Sequence, residues 1–458
     1  MAIATINPTT GETERAFTPH TAAEVQRRIA LAHDAFAALK DTTFAERARW
    51  LRAAADLLEA EVDDTARLLV VEMGKPIAQA EAEIRKSAKG LRYYAEHAEA
   101  FLADEPLSDP SAVGASKAWT RYEPLGAVLA VMPWNFPVWQ ALRFAAPALA
   151  AGNTGLLKHA SNVPQTALYL DGLFARAGFP EGAFQALLIG SGEVKAVVED
   201  PRVKAVTLTG SEPAGRAVAA AAGAAIKKSV LELGGSDPFI VLPSADLDAA
   251  VETAVKARTI NNGQSCIASK RFIVHADVYD EFSRRFAEAT AALVVGDPLD
   301  PETEVGPLAT ESGRDDLAEL VDDAIAKGAK VLAGSGAPER PGWFYTPTVL
   351  ADLSEDARIV QEEAFGPVAT LYRAEDAEDA ARIANQTTFG LSSSVWTNDP
   401  EEQEWFIRRL DAGAVFVNGM TVSFPELPFG GVKASGYGRE LAAAGIREFT
   451  NLKTVWRS

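Results

Sequence analysis

Apolar residues recur every three to four positions through TAAEVQRRIALAHDAFAAL (21–39), FAERARWLRAAADLLEAEVDDTARLLVVEMG (44–74) and AQAEAEIRKSAKGLRYYAEHAEAFL (78–102). That spacing puts one stripe of a helix into a core, so the first hundred residues read as helical after a short extended start. Residues 106–116 are polar and turn-rich, and beyond them the pattern changes. KAWTRYEPLGAVLAVMPWNFP (117–137) gives short β-like runs broken by Pro124-Leu125-Gly126. Then helix-like and strand-like runs alternate: ALRFAAPALAAGN, TGLLKHA, VPQTALYLDGLFARAG, FQALLIG, EVKAVVED, VKAVTLTG and EPAGRAVAAAAG. Short connections between such runs predict an α/β chain with a doubly wound, mostly parallel sheet. A second α/β series starts near KSVLELGGSDPFIVL (228–242), and GIREFTNLKTVWRS at the end reads as a β-segment whose edge needs cover from another chain.

The bulk numbers narrow the function. At 458 residues the chain has room for two or three domains, and its net charge of −19 disfavours nucleic acid and anionic membranes as partners. No run reaches a membrane-spanning length, and the N-terminus lacks the basic flank and apolar run of a signal peptide. Five scattered histidines and a single cysteine leave no metal-ligand spacing and no intrachain disulfide. These features predict a cytoplasmic protein in a reducing compartment, acting on a small molecule without a metal.

The lone cysteine, Cys266, lies in NNGQSCIAS among small residues. It is either a buried thiol or a nucleophile, and a nucleophile needs an anion-stabilising group and a base nearby. Glu232, after the strand-like SVL and before two glycines, is a candidate base for water; a structural glutamate is the alternative. Asn135, between Pro133 and Pro137 in PWNFP, either stabilises an oxyanion or braces its turn. The dinucleotide fingerprint GxGxxG and the GxxxxGK[ST] loop are both missing. LTGSEPAG instead runs from a strand end into a helix, placing Gly210 and Ser211 where a phosphate meets a helix N-terminus. Lys158, after the buried TGLL, is placed to reach a ribose or its phosphate.

PWNFP, LLKHAS, LTGS, LELGGSDP, NNGQSC, EEAFGPV and PFGGVKASGYGRE occur in this order, and with them the chain resembles the aldehyde dehydrogenase superfamily over nearly its full length. The resemblance implies NAD(P)-dependent oxidation of an aldehyde to an acid through a thiohemiacetal and a thioester. Cys266 matches the nucleophile, Glu232 the base, and Asn135 the oxyanion amide. Trp134, Lys158, Ser161, Gly210, Ser211, Glu363 and Phe365 match cofactor-binding positions. Many NAD-preferring relatives carry glutamate where this chain has Ser161. A serine there removes the repulsion of a 2′-phosphate, so NADP is expected with NAD possible.

Within the superfamily the chain looks most like bacterial succinate-semialdehyde dehydrogenases of a short actinobacterial type. Arg143 and Ser423 match substrate-carboxylate positions; the alternative for Arg143 is a helix-surface arginine that bridges to an acidic residue. Ile260 stands where a further arginine is often found, and with Trp139 it would also suit a less polar aldehyde; a medium-chain, aromatic or other carboxylated aldehyde is the alternative substrate. A catalytically silent binding protein is the reading of another class. The family architecture implies a Rossmann-like cofactor domain at 1–111 and 126–231, a catalytic domain at 232–430, and a β oligomerisation arm at 112–125 and 431–458, in a homodimer or homotetramer.

Overall fold

In the computed structural model, which describes residues 2–458, two parallel sheets carry the chain. The first has six strands in the order Gly436–Tyr437, Lys228–Glu232, Val203–Thr209, Ala127–Met132, Thr154–His159, Phe184–Ala186. All neighbours are parallel except the short Gly436–Tyr437 strand. The strand Thr154–His159 is buried at every residue, as expected when helices cover both faces of a sheet. One cover is the Pro137–Ala151 helix, also buried throughout; Ala22–Leu39 presents Val25, Ile29 and Ala32 to another part of the core.

The order of strands reverses between Ala127–Met132 and Val203–Thr209, which are neighbours in the sheet but far apart in the chain. At such a switch point the two connections leave in opposite directions and open a crevice beyond the strands' carboxyl ends. Pro133-Trp134-Asn135 leaves one strand there and Gly210-Ser211 leaves the other.

The second sheet has seven strands, in the order Lys330–Ala333, Thr348–Ala351, Val368–Ala374, Ser269–His275, Asp237–Val241, Ser393–Trp396, Val415–Val417. Only Lys330–Ala333 is antiparallel. Glu232 closes a strand of the first sheet and Asp237 opens a strand of the second, so the intervening LGGS joins them.

The start is extended, as the sequence reads, whereas the tail differs in part from the β-segment expected there. The start is a hairpin, Ile3–Ile6 against Thr13–Phe17. In the tail, Ala442–Glu448 is helical and only Thr450–Arg457 is a strand. That strand is covered on one side by its own chain, pairing residue for residue with Lys117–Pro124, which also holds Glu105–Pro106. Segment 431–458 is thus shared between the first sheet and this three-stranded sheet. Among the described residues no helix is long and apolar enough to cross a membrane.

Candidate active site

Cys266 sits just before the strand Ser269–His275, on a loop whose shape follows from NNG. Asn261, Asn262 and Gly263 adopt φ of 55°, 57° and 73° in succession, a left-handed turn that only asparagine and glycine enter readily. At Gly263 a Cβ would lie 2.3 Å from the Gly366 backbone, so a side chain is excluded there as well. The asparagine amides fix the turn. Asn262 donates to the carbonyls of Gly74 (2.8 Å) and Pro307 (2.9 Å), and Asn261 to those of Asn135 (2.7 Å) and Gln264 (2.9 Å).

Asn135 is buried, and its Nδ2 donates to the Gln264 carbonyl at 3.0 Å. An amide nitrogen carries two hydrogens, so one remains for a ligand. The segment is held from behind by a buried ion pair, Lys75 with Glu83. The Lys75 ammonium donates to the Asn135 carbonyl at 3.0 Å, and Glu83 accepts from the first free N–H groups of the Pro137–Ala151 helix, at Val138 and Trp139 (2.9 Å each). A carboxylate at that end of a helix satisfies orphan donors and its dipole together.

Two cavities meet at the cysteine. The larger, about 280 Å³, is walled by Trp134, Asn135, Gly210, Ser211, Glu363 and Phe365, together with Leu233 and Gly234. The smaller, about 60 Å³, is walled by Lys86, Trp139, Arg143, Ile260, Thr421, Ser423 and Phe429 among others. Cys266 and Gln140 are the residues common to both. Of the residues singled out from sequence, Trp134, Asn135, Gly210, Ser211, Cys266, Glu363 and Phe365 therefore gather at one cavity, and Arg143 and Ser423 join Cys266 at the other. Glu232, Lys158 and Ser161 are off both walls. Lys158 is buried on the strand Thr154–His159 and Ser161 is half-buried just past its end.

The large cavity's wall suits a nucleotide. Ser211 caps the thirteen-residue Glu212–Ala224 helix without any side-chain capping bond, so the first-turn N–H groups have no side-chain acceptor. A Cβ built on Gly210 would meet only Leu208, at 3.6 Å. Glu363 accepts from the Gly235 N–H at 3.2 Å and pairs with Lys270 at 2.9 Å, while Trp134 and Phe365 meet edge to face at 5.7 Å.

Burial dominates the electrostatics. It pushes the Cys266 thiol up to about 12, against the opposing pull of Arg143 and Lys270. It also raises the Glu232 carboxyl well above the usual carboxylate range, helped by the neighbouring Glu440. Both Glu232 oxygens are buried without a hydrogen-bond partner. Arg143 is ion-paired with Glu440, both almost fully buried. The alternative left open for Arg143 in the sequence is thus the contact it makes, although it bridges inside the core and not on a surface.

Sequence reasoning missed Lys270, the Lys75–Glu83 pair, Glu440 and Lys86. A signal existed for one of them: Glu83 lies on the buried face of its helix with Ala80, Ile84, Ala88 and Leu91.

The Aldehyde dehydrogenase family profile matches residues 1–455. Over 456 residues, covering all of both chains, the sequence is 64% identical to the NADP(+) succinate-semialdehyde dehydrogenase 1 of Mycobacterium tuberculosis. Its fold superposes on the solved structure of Gox0499 with a TM-score of 0.98, at 41% identity over all of both chains. The succinic semialdehyde dehydrogenase of Streptococcus pyogenes in complex with NADP+ gives a TM-score of 0.96 at 36% identity, covering 99% of each chain.

Proposed function

The chain belongs to the aldehyde dehydrogenase family, and from that premise we propose that it oxidises succinate semialdehyde to succinate, with NADP taking the hydride. One observation carries the reading: Cys266 lies where the larger cavity, walled by Trp134, Gly210, Ser211, Glu363 and Phe365, meets a small, largely apolar one, so a single sulfur faces both. The full-length likeness to an NADP-dependent succinate-semialdehyde dehydrogenase supports the choice of substrate and cofactor.

The residues divide the chemistry as follows. The Cys266 sulfur adds to the aldehyde carbon as the thiol proton passes to solvent, the one proton that the overall oxidation releases. The free Asn135 amide hydrogen and the Cys266 N–H stabilise the oxyanion. Trp134, Lys158, Ser161, Gly210, Ser211, Glu363 and Phe365 hold the cofactor, whose nicotinamide, when bound, accepts the hydride that leaves a thioester on Cys266. The carboxylate of Glu232 then takes a proton from water. A carboxyl whose burial raises its proton affinity is a stronger base than a solvated one. Water's oxygen bonds to the acyl carbon, the C–S bond breaks, the proton returns to sulfur, and the acid leaves.

The homodimer or homotetramer in this proposal rests on the strand Thr450–Arg457, which is an edge of its sheet and exposes Leu452 and Trp456. Light scattering then reads a multiple of the 48.7 kDa chain. For the activity, initial rates with succinate semialdehyde, glutarate semialdehyde, hexanal and benzaldehyde, each with NAD and NADP, are the test. The expected result is the highest kcat/KM for succinate semialdehyde with NADP. A preference for the uncharged aldehydes overturns the substrate, and no turnover of any pair overturns the activity.

A further inference from the structure

Arg143 reaches the small cavity, but its charge is already matched by Glu440 and its guanidinium lies 4.5 Å over the Phe429 ring. Lys86 stands differently. It projects from the Ile77–Phe101 helix to the same cavity, 4.5 Å from the centre of the Trp139 ring. Among the described residues no carboxylate pairs with it. Glu83, on the same helix, is taken by Lys75 and by the Val138 and Trp139 N–H groups, and Glu426 pairs with Lys89.

The Lys86 ammonium donates one hydrogen, to Ser423 Oγ at 3.0 Å; Trp139 Nε1 donates to the same oxygen at 2.9 Å. A hydroxyl oxygen has two lone pairs and one hydrogen. Both lone pairs of buried Ser423 are occupied, so its hydrogen is left to donate, and it meets no acceptor among the described residues. An ammonium with two unused hydrogens and a hydroxyl oriented as a donor thus stand together. They share the cavity with apolar Phe136, Ile260, Ile267 and Phe429, and with Cys266.

We propose that Lys86, acting with the hydroxyl of Ser423, binds the carboxylate of the aldehyde substrate and is the residue that selects a carboxylated aldehyde over an uncharged one. The inference rests on the reading of a semialdehyde substrate given above. It also accounts for Ile260: the cation comes from a different element, across the cavity, and not from the cysteine loop. Arg143 keeps Glu440 and contributes its field.

The test compares succinate semialdehyde with butanal, which has the same carbon count and no charge, in wild type, Lys86→Met and Lys86→Arg. Losing one charge-assisted bond lowers the kcat/KM ratio between the two substrates about 10- to 100-fold in Lys86→Met. The loss is carried by KM for the semialdehyde, and Lys86→Arg recovers most of it. An unmoved ratio in Lys86→Met overturns the inference alone. A wild-type enzyme that turns over butanal as well as the semialdehyde overturns the underlying substrate reading instead.

A second measurement needs no variant. Burial first, then the charge of Arg143, push the Lys86 ammonium down to about 7; Glu83 opposes them, and Lys75 and Lys89 add to them. Lys86 is therefore charged below that pH and neutral above it. Butyrate inhibition of wild-type butanal oxidation weakens as pH rises from 6 to 9, while butyramide inhibition does not follow it. Parallel profiles for the two inhibitors overturn the assignment.

Discussion

The ammonium of Lys270 donates to the carbonyl of Cys266 at 2.8 Å, and with a second bond to Ser265 (2.9 Å) it clamps the backbone on which the reactive sulfur is carried. The same ammonium pairs with Glu363 at 2.9 Å, so one buried cation ties the cysteine loop to a wall of the larger cavity. Lys270→Met removes the clamp and leaves Glu363 without its partner. A misplacement of the sulfur by about 1 Å costs on the order of 100-fold in kcat. Breaking a buried pair on one side destabilises by about 3 kcal/mol. Urea unfolding and steady-state kinetics on the variant read the two losses separately; wild-type kcat in Lys270→Met would sink the positioning role.

Burial that pushes the Cys266 thiol up to about 12 has a direct consequence for its alkylation. Thiolate is the reactive form, and below the pKa its fraction grows about tenfold for each pH unit. In the cofactor-free protein, the rate of modification of Cys266 by iodoacetamide therefore climbs without a plateau from pH 7 to pH 10. Mass spectrometry follows it cleanly, because the chain has one cysteine. A plateau near pH 8.5 would mean an ordinary, solvated thiol.

Glu232 carries two oxygens without hydrogen bonds, beside Glu440, and burial raises the proton affinity of its carboxyl in the native state. The unfolded chain ionises it above its ordinary value of 4.5. Above that pH the native state thus binds more protons, and this group makes stability fall as pH rises, by up to ~1.4 kcal/mol per pH unit until the native carboxyl ionises. Glu232→Gln removes that slope, so the variant gains on wild type in thermal melts between pH 6 and pH 8. Its turnover is expected to drop about 100- to 10,000-fold with the loss of the proposed base. Acyl-enzyme accumulates after one burst of reduced cofactor. A variant that hydrolyses as fast as wild type assigns the water step to another group.

Local signals reached the strands well. Ala127–Met132, Thr154–His159 and Val203–Thr209 are short apolar runs bounded by turns, and their sequence positions alone set most of the parallel sheet. The motifs at Asn135, Gly210 and Cys266 were legible as short local patterns: prolines around the amide, a strand running into a helix, and small residues around the thiol. Contacts between distant segments were not legible. Lys86 meets Ser423 across 337 positions, and Lys75 reaches Asn135 from a connection that reads as a mere break between helices. The tail was misread in part because the β-branched Ile446 suits a strand in isolation, whereas the Ala442–Glu448 segment packs as a helix against Ile77–Phe101. Periodicity describes how an element faces a core; it does not say which charged residue on that face will find a partner.

In the proposed reading cofactor choice turns on Ser161, half-buried just beyond the strand that carries Lys158. Its carbonyl is fixed by the Ala4 N–H at 3.1 Å, so the backbone there is held and a longer side chain must extend outward from it. A glutamate at this point would place a negative charge near the position proposed for a ribose 2′-substituent. At about 4 Å and an effective dielectric near 20, like charges repel by about 4 kcal/mol, and solvent at a half-exposed site reduces that. Ser161→Glu is therefore expected to raise KM for NADP about 10- to 100-fold. KM for NAD falls or holds, because a carboxylate accepts from a 2′-hydroxyl. Succinate semialdehyde KM stays at its wild-type value with saturating cofactor, since Ser161 is off the wall of the small cavity. Equal loss with both cofactors would mean that the substitution disturbs the fold around the Ala4 contact, and the 2′-phosphate would have to be read by another residue.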